Sequence, residues 1–138
     1  MITVTKTLTF AAGHRLVGHT KCSNIHGHTW HVEIEVGGDL RGDGMVADFS
    51  EIKDRLGKFI ADNLDHSMLL ARDDYEAQNA LRPLNVRVFL FDAPPTAEVI
   101  ARRLLVQARG SFPGVQSVTV WESPTARATA RPALGATP

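Results

Sequence analysis

Three histidines near the start of the chain have the residue type and spacing of a metal site. His26 and His28 are separated by one glycine, and His14 precedes them. Side chains two positions apart in a β-strand point to the same face, so His26 and His28 can converge on one ion. Catalytic zinc usually has three protein ligands and a fourth position for water or substrate. We therefore predict one zinc ion per chain on these three histidines; the alternative is three polar residues that end two strands in solvent.

A zinc ion on three neutral imidazoles would keep its double positive charge, and it could therefore act as a Lewis acid. Two other histidines do not fit this arrangement. His19 lies in a predicted loop, and His31 has the strand parity opposite to that of His26 and His28. We interpret His19 and His31 as ordinary polar positions.

Cys22, which lies shortly before His26, is the single cysteine of the chain. A free thiol has a pKa of about 8.5, and a nearby cation lowers it. A thiolate at this position could abstract a proton from a group that the metal polarises. Two other interpretations stay open, namely a buried structural thiol and a fourth zinc ligand that would make the site closed and structural.

Two further segments carry residues suited to proton transfer or ligand binding. His66 directly follows Asp65, and a carboxylate can hold an imidazole in one tautomer, although Asp65 could also be a simple loop acid. Glu122 shares strand parity with Val118 and Val120, where an unpaired charge is costly to bury. A ligand edge with two N–H donors, such as an amino-pyrimidinone, would pair with Glu122. The alternative for Glu122 is an exposed strand end.

Alternating polarity and helical spacing locate the elements that would position these residues. Residues 2–14 and 26–36 alternate, which predicts two antiparallel strands with His14 on the apolar parity of the first. Residues 67–84 show no clear pattern. The remaining predictions are strands at 85–91 and 116–122 and helices at 48–63 and from 95 to about 109.

Together these elements predict an α+β fold in which helices cover one face of a mostly antiparallel sheet. We expect residues 1–126 to form a single domain. Residues 127–138 are rich in Ala, Thr, Arg and Pro, which predicts a flexible C-terminal tail.

The composition argues against several classes of function. The 138 residues include 15 Lys and Arg and 15 Asp and Glu. A formal net charge of zero gives no electrostatic case for binding nucleic acid or an anionic membrane. The chain lacks a second cysteine for a disulfide, a signal-peptide pattern at its start, and the apolar run of roughly 20 residues that spans a bilayer. We therefore expect a cytoplasmic protein that binds neither nucleic acid nor a membrane surface.

Assembled in order, these residues resemble the motifs of the 6-pyruvoyltetrahydropterin synthase and 6-carboxytetrahydropterin synthase family. The resemblance runs from about Phe10 to Ala126, which is most of the chain, and the order and spacing of its motifs are specific. The matching segments are Phe10-Ala-Ala-Gly-His14, Cys22-Ser-Asn-Ile-His26-Gly-His28, Gly44-Met-Val-Ala-Asp-Phe49, Leu64-Asp-His66, Pro95-Thr-Ala-Glu98 and Trp121-Glu-Ser-Pro-Thr125.

The resemblance implies a role for each candidate residue. Zinc would be bound by His14, His26 and His28. Cys22 would be the catalytic base, and His66, supported by Asp65, would relay its proton. Glu122 would anchor the pterin ring, and Thr96 and Glu98 would lie near that ring. The implied substrate is 7,8-dihydroneopterin triphosphate. The implied fold, of the tunnelling-fold type, is a four-stranded antiparallel sheet with two helices on one face. Its subunits form barrels, usually a hexamer of two trimers, with active sites between subunits.

Two branches of this family differ in their product. The 6-carboxy enzyme releases acetaldehyde as well as triphosphate and serves 7-deazaguanine (queuosine-type) synthesis, whereas the 6-pyruvoyl enzyme keeps the side chain. The short spacing from Cys22 to His26 resembles the 6-carboxy branch, and a folate branch tends to carry Glu in place of Cys22. Residues 67–70 depart from the family pattern, and residues 71–93 form a longer segment that is expected to add a strand.

Three functions are therefore compatible with the sequence. The first is a zinc-dependent lyase that forms 6-carboxytetrahydropterin. The second is an enzyme of the same fold with another product, such as the 6-pyruvoyl compound. The third is a structural-zinc or ligand-binding module without turnover, which Cys22 as a fourth ligand would favour.

Overall fold

Two long paired strands form the centre of the computed structural model, which describes residues 1–135. Strand β1 spans Ile2–His14 and strand β2 spans His26–Gly38. They pair in antiparallel fashion along their whole length, with Phe10 opposite Trp30 and His14 opposite His26. The predicted antiparallel pair is thus confirmed, and its register brings the histidine-bearing ends of both strands together.

Helices and shorter strands complete the chain after β2. They are α1 (Phe49–Ile52), a π-helical segment (Lys53–Gly57), α2 (Lys58–Asn63), β3 (Ser67–Ala71), α3 (Tyr75–Leu81), a 3₁₀ turn (Arg82–Leu84), β4 (Val88–Phe91), α4 (Ala97–Ser111), β5 (Val115–Ser123) and β6 (Ala126–Ala130). Side chains cap the N-termini of α1 and α4. Asp48 accepts a hydrogen bond from the backbone N–H of Ser50, and Thr96 accepts one from Val99.

The hydrophobic core lies between the helices and one face of the sheet. Trp30, Val32 and Ile34 of β2 are fully buried and belong to the same cluster as Ile52 and Leu104 of the helical layer. The opposite face of β1 is polar, because its alternate positions carry exposed threonines. Among the described residues, no helix is both long enough and apolar enough to cross a membrane.

The sheet is larger and less regular than predicted. It has six strands in the order β4-β3-β1-β2-β5-β6, and β3 pairs in parallel with both β1 and β4. The prediction of four antiparallel strands with two helices is therefore wrong in its detail, because β3 and β6 add two strands, α3 adds a helix, and the pairing of β3 is parallel. Strand β3 escaped prediction since it is buried on nearly every position and does not alternate.

The C-terminal segment also differs from the prediction. A flexible tail was expected from residue 127, but residues 126–130 form β6, which pairs with β5 in antiparallel fashion. The Ala-Arg-Ala-Thr-Ala sequence has weak intrinsic strand preference, so pairing with β5 and the contact with α4 decide its conformation. The last part of the predicted tail, residues 136–138, lies outside the described residues.

Candidate metal centre

The three candidate histidines meet where β1 and β2 end. His14 pairs directly with His26 across the two strands, and His28 lies opposite Ala12. The Nε2 atoms of His14 and His26 are 3.0 Å apart, and the ring centroids of His14 and His28 are separated by 5.1 Å. The strand register therefore places all three imidazoles around one point.

Backbone carbonyl groups orient two of these rings. Nδ1 of His14 is 2.9 Å from the carbonyl oxygen of Pro95, and Nδ1 of His26 is 2.7 Å from that of Asn24. An Nδ1–H that donates to a carbonyl leaves the Nε2 lone pair free for a metal ion. Both rings thus present Nε2 to the shared point.

Burial keeps His14 in the form that can bind a metal. Its side chain is inaccessible to solvent, and this desolvation lowers the pKa of His14, with a further lowering from nearby His26 and His28. The imidazole is therefore neutral at physiological pH, as a metal ligand must be.

Glu122 supplies a fourth donor atom to the same point. Its Oε1 atom lies 3.0 Å from Nε2 of His28 and 3.5 Å from Nε2 of His14. One donor atom from each of the four residues lies within 4.8 Å of the others. These four residues, His14, His26, His28 and Glu122, could therefore hold a metal ion and form the candidate metal group. Nε2 of His28 is buried and has no hydrogen-bond partner among the described residues, which is the condition of an imidazole whose partner is an ion.

Cys22 lies outside this group of four. It is a half-buried free cysteine in the loop between β1 and β2, and its sulfur is not among the donor atoms that cluster in the described part of the chain. The fourth donor that the structure brings to the histidines is a carboxylate instead of a thiol.

Asp65 and His66 form a turn that is hydrogen-bonded to Ala11 of β1. Oδ1 of Asp65 accepts a hydrogen bond of 2.9 Å from the backbone N–H of Ala11, and the carbonyl of Ala11 accepts one of 2.6 Å from the N–H of His66. Nδ1 of His66 is 3.0 Å from Oδ1 of Asp65. The Ala11 N–H, followed by His66, lowers the pKa of Asp65. His66 itself has a φ of 57° and a side chain that is 81% exposed.

Pro95, which precedes Thr96, contacts His14 through its backbone carbonyl. Pro95, whose carbonyl orients His14, is buried, whereas Glu98 is exposed in the first turn of α4. Thr96 acts as the N-cap of α4 through its hydroxyl group. The described contacts therefore give Thr96 a structural role and leave Glu98 without a contact to the four donors.

A cavity of about 590 Å³ opens beside the metal group. His28 and Glu122 form part of its wall, together with Trp121 and Glu33. A small molecule in this cavity would therefore reach both the carboxylate and one of the imidazoles.

Comparison with known proteins decides the family. The sequence model of the family described as 6-pyruvoyl tetrahydropterin synthase matches residues 3–133. The chain belongs to this family. The tetrahydropterin synthase from Haemophilus influenzae that is named 6-carboxy-5,6,7,8-tetrahydropterin synthase is 36% identical over 134 residues, covering 91% of this chain and 95% of the relative.

Two further comparisons agree with the assignment to the tetrahydropterin synthases. A protein of the same name from Rickettsia felis is 40% identical over 107 residues, which are 75% of this chain and 78% of the relative. The solved structure of 6-pyruvoyl tetrahydropterin synthase from Caenorhabditis elegans has a TM-score of 0.73 at 21% identity and covers 96% of each chain. That structural similarity shows that the fold is shared.

Two features of this candidate centre were missing from the sequence-based prediction. Glu122 was expected to bind a ring, but it also lies beside the imidazoles of His14 and His28. Its strand parity with Val118 and Val120 was the available signal, and this parity does not give its distance from the histidines. The carbonyl of Pro95, 81 positions away from His14 in sequence, left no signal that spacing could reveal.

Proposed function

We propose that the chain is a zinc-dependent 6-carboxy-5,6,7,8-tetrahydropterin synthase. It converts 7,8-dihydroneopterin triphosphate to 6-carboxytetrahydropterin, with release of acetaldehyde and triphosphate, as part of 7-deazaguanine or queuosine-type synthesis. The observation that carries this proposal is the convergence of His14, His26, His28 and Glu122 on one point beside a cavity. The names of the relatives from Haemophilus influenzae and Rickettsia felis support the product.

The donor set fits zinc better than it fits magnesium or calcium. Imidazole nitrogen is a preferred ligand of zinc, whereas magnesium and calcium select oxygen ligands. The buried Nε2 of His28 that lacks a hydrogen bond also requires a partner such as an ion. A bound zinc ion would polarise the hydroxyl groups of the substrate side chain and make the adjacent carbon–hydrogen bond more acidic.

Cys22 is the proposed base, and Asp65 and His66 are the proposed relay. In its thiolate form, Cys22 accepts the proton from the carbon atom of the substrate side chain. His66 receives and returns protons at Nε2, because Asp65 holds its Nδ1–H at 3.0 Å. The lowered pKa of Asp65 keeps this carboxylate ionised and able to support a protonated imidazole.

The pterin ring is proposed to occupy the cavity beside Glu122. The carboxylate of Glu122 can accept two N–H bonds from the amino-pyrimidinone edge of the ring. The Trp121 side chain forms part of the cavity wall, and the guanidinium of Arg127 lies 4.6 Å from the centre of its indole ring. An aromatic wall of this kind suits a planar heterocycle. We keep Thr96 and Glu98 as proposed contacts of the same ring, by resemblance to the family.

The active protein is proposed to be a cytoplasmic hexamer, made of two trimers, with active sites between subunits. The relay residue His66 is 81% exposed in a single chain, as expected for a group that completes a site with a neighbouring copy. By resemblance to the family, Cys22 and His66 would work with the Glu122 of another subunit.

The carboxylate of Glu122, as a fourth donor, also supports a second candidate function. A site closed by four protein ligands is typical of structural zinc, so the position of Glu122 also favours a metal-binding module without turnover. The 6-pyruvoyl product is the other alternative within the family.

The deciding experiment incubates the zinc-loaded protein with 7,8-dihydroneopterin triphosphate and identifies the products by mass. The proposal predicts 6-carboxytetrahydropterin together with acetaldehyde. A 6-pyruvoyl product without acetaldehyde would replace the first candidate with the second branch. An unchanged substrate would reject the enzymatic function, provided that the protein retains its zinc.

The matched control for this assay is His19→Ala. His19 is exposed in the β1–β2 loop and its ring is not among the four donors. The proposal predicts that His28→Ala abolishes turnover and that His19→Ala leaves it close to that of the unmodified protein.

A further inference from the structure

Glu122 lies at the distances from His14 and His28 that a metal ligand would have. Tetrahedral bonds of about 2.0–2.1 Å place neighbouring ligand atoms about 3.3 Å apart. The Oε1 atom of Glu122 is 3.0 Å from Nε2 of His28 and 3.5 Å from Nε2 of His14. The two imidazole nitrogens of His14 and His26 are themselves 3.0 Å apart, so carboxylate and imidazoles are spaced alike.

The contact between Glu122 and His28 is also not an ordinary hydrogen bond. Although the two atoms are 3.0 Å apart, Nε2 of His28 makes no hydrogen bond of acceptable geometry within the described residues. Two atoms that approach without a hydrogen bond are expected when both point at a third centre. This geometry distinguishes a shared ligand shell from a histidine–carboxylate ion pair.

The local backbone gives Glu122 room to leave this position. The register of the β5–β6 pairing shifts between Trp121 and Ser123, and such an irregularity can redirect a side chain. The side chain of Glu122 is 29% exposed, compared with 1% for His14. Glu122 also lines the cavity of about 590 Å³, so its carboxylate could turn towards the cavity.

We propose that Glu122 is an exchangeable fourth metal ligand. It closes the ligand shell of the substrate-free protein, and it turns into the cavity when a ring with two adjacent N–H donors enters. The second half of this statement rests on the proposed function, whereas the first half requires only the metal. Since a carboxylate neutralises one of the two positive charges of the ion, the resting site is a weaker Lewis acid than the same site after Glu122 has left.

Cobalt provides a direct test of the ligand. Co²⁺-loaded protein is compared with Co²⁺-loaded Glu122→Gln by visible absorption and by competition with a chelator. Glu33→Gln is the matched control, because Glu33 lines the same cavity but is not among the four donors. We expect Glu122→Gln to change the cobalt absorption bands and to weaken metal affinity by at least about tenfold, and Glu33→Gln to change neither.

The outcomes separate the two halves of the proposal. A Glu122→Gln protein with unchanged bands and unchanged affinity would overturn the ligand role. Addition of a 2-amino-4-oxopteridine that lacks the triphosphate side chain should shift the bands of unmodified protein towards those of Glu122→Gln. If this compound binds, as shown by its fluorescence, and the bands stay unchanged, exchange is overturned while the ligand role stands. Failure to consume dihydroneopterin triphosphate would reject the proposed function without affecting the ligand result.

Discussion

At the scale of single residues, backbone carbonyls determine what the histidines of the metal group can do. The carbonyls of Pro95 and Asn24 fix the tautomers of His14 and His26, and both Nε2 atoms are therefore available to an ion. Burial keeps His14 neutral by lowering its pKa. The affinity of these rings for a metal ion would therefore depend on main-chain groups that no side-chain substitution at Pro95 or Asn24 removes.

A substitution at Cys22 distinguishes a catalytic centre from a structural one. We expect Cys22→Ala to lower turnover by about 10²- to 10⁴-fold, the usual contribution of a positioned base. Bound zinc should be unchanged, because Cys22 lies outside the group of donors. Steady-state kinetics and metal analysis measure the two effects, and Ser23→Ala serves as the neighbouring control. Loss of zinc together with thermal stability would identify Cys22 as a structural ligand instead.

Sequence reasoning locates the three histidines because strand alternation is a strict geometric rule. Parity assigns His14, His26 and His28 to one face, and the antiparallel register brings them to the same end of the strand pair. The same reasoning left the interpretation of Glu122 incomplete, since a lone carboxylate on a distant strand fits both a ligand edge and a metal. Distances between strands, which the sequence does not contain, separate these possibilities.

At the scale of elements, an ion pair ties the end of β1 to α3. Nε of Arg15 is 2.7 Å from Oδ2 of Asp74, and a terminal guanidinium nitrogen of Arg15 is 2.5 Å from Oδ1. The ion pair is therefore bidentate. Asp74 is also the N-cap of α3, because its side chain accepts a bond from the N–H of Ala77. Arg15 directly follows His14, so this contact anchors the strand end that carries one of the four candidate metal ligands.

The Arg15–Asp74 pair predicts a pH dependence of stability. The hydrogen bond from Arg15 lowers the pKa of Asp74 below its ordinary value of 3.8. The pair therefore stabilises the fold above that value, and the stabilisation is lost as the pH falls through the lower pKa of the folded state. Asp74→Asn keeps a capping residue but removes the charge. We expect it to lower the free energy of unfolding by about 1.5–3 kcal/mol at pH 7.

Urea unfolding at several pH values measures this effect. The difference between the unmodified protein and Asp74→Asn should shrink as the pH is lowered below 3.8, the ordinary value for the carboxyl group. Asp73→Asn, at an exposed neighbouring position, is the control and should leave stability almost unchanged. A difference that stays constant down to acidic pH would contradict the ion pair as its cause.

Arg87 connects the inserted segment to the proposed proton relay. Its guanidinium donates to the carbonyls of Ala61 and Asp62 at 3.2 and 3.1 Å, and also to the carbonyl of Asp65. These carbonyls lie at the end of α2, where helical partners are lacking. Arg87 thus positions the turn that presents His66, although it does not itself reach the metal group.

We expect Arg87→Met to reduce kcat by about 10- to 100-fold through misplacement of His66. KM and bound zinc should change little, since the cavity and the four donors are formed elsewhere. Arg82→Met, in the same segment but bonded only to Asn79 among the described residues, is the control. An equal loss in both variants, or a parallel loss of zinc, would refute the positioning role.

Two elements were beyond prediction for physical reasons. Strand β3 lies between β1 and β4 and is buried without alternation, so its pattern fits a helix or a strand equally well. Strand β6 exists because β5 offers a partner edge. By contrast, the bounds of β1 were predicted correctly, since long alternating runs follow directly from the pleat of a strand.

At the scale of the whole molecule, the sheet has one face covered by helices and one polar face lined with threonines on β1. Strands β4 and β6 are at the edges of the sheet in a single chain, and exposed edges favour pairing with other copies. The proposed hexamer predicts a sedimentation mass six times the 15.1 kDa of one chain. Per-chain turnover should fall when dilution dissociates it. A monomer with the same turnover at every concentration would contradict sites shared between subunits.

The most direct test of the account is the zinc content of the purified protein. Elemental analysis by mass spectrometry should find about one zinc ion per chain in the unmodified protein and almost none in His28→Ala. His31→Ala removes a neighbouring imidazole that is not among the four donors, and it should retain the full amount. A protein that binds no zinc after loading and dialysis, or equal zinc in all three proteins, would contradict a metal centre at the meeting point of β1 and β2.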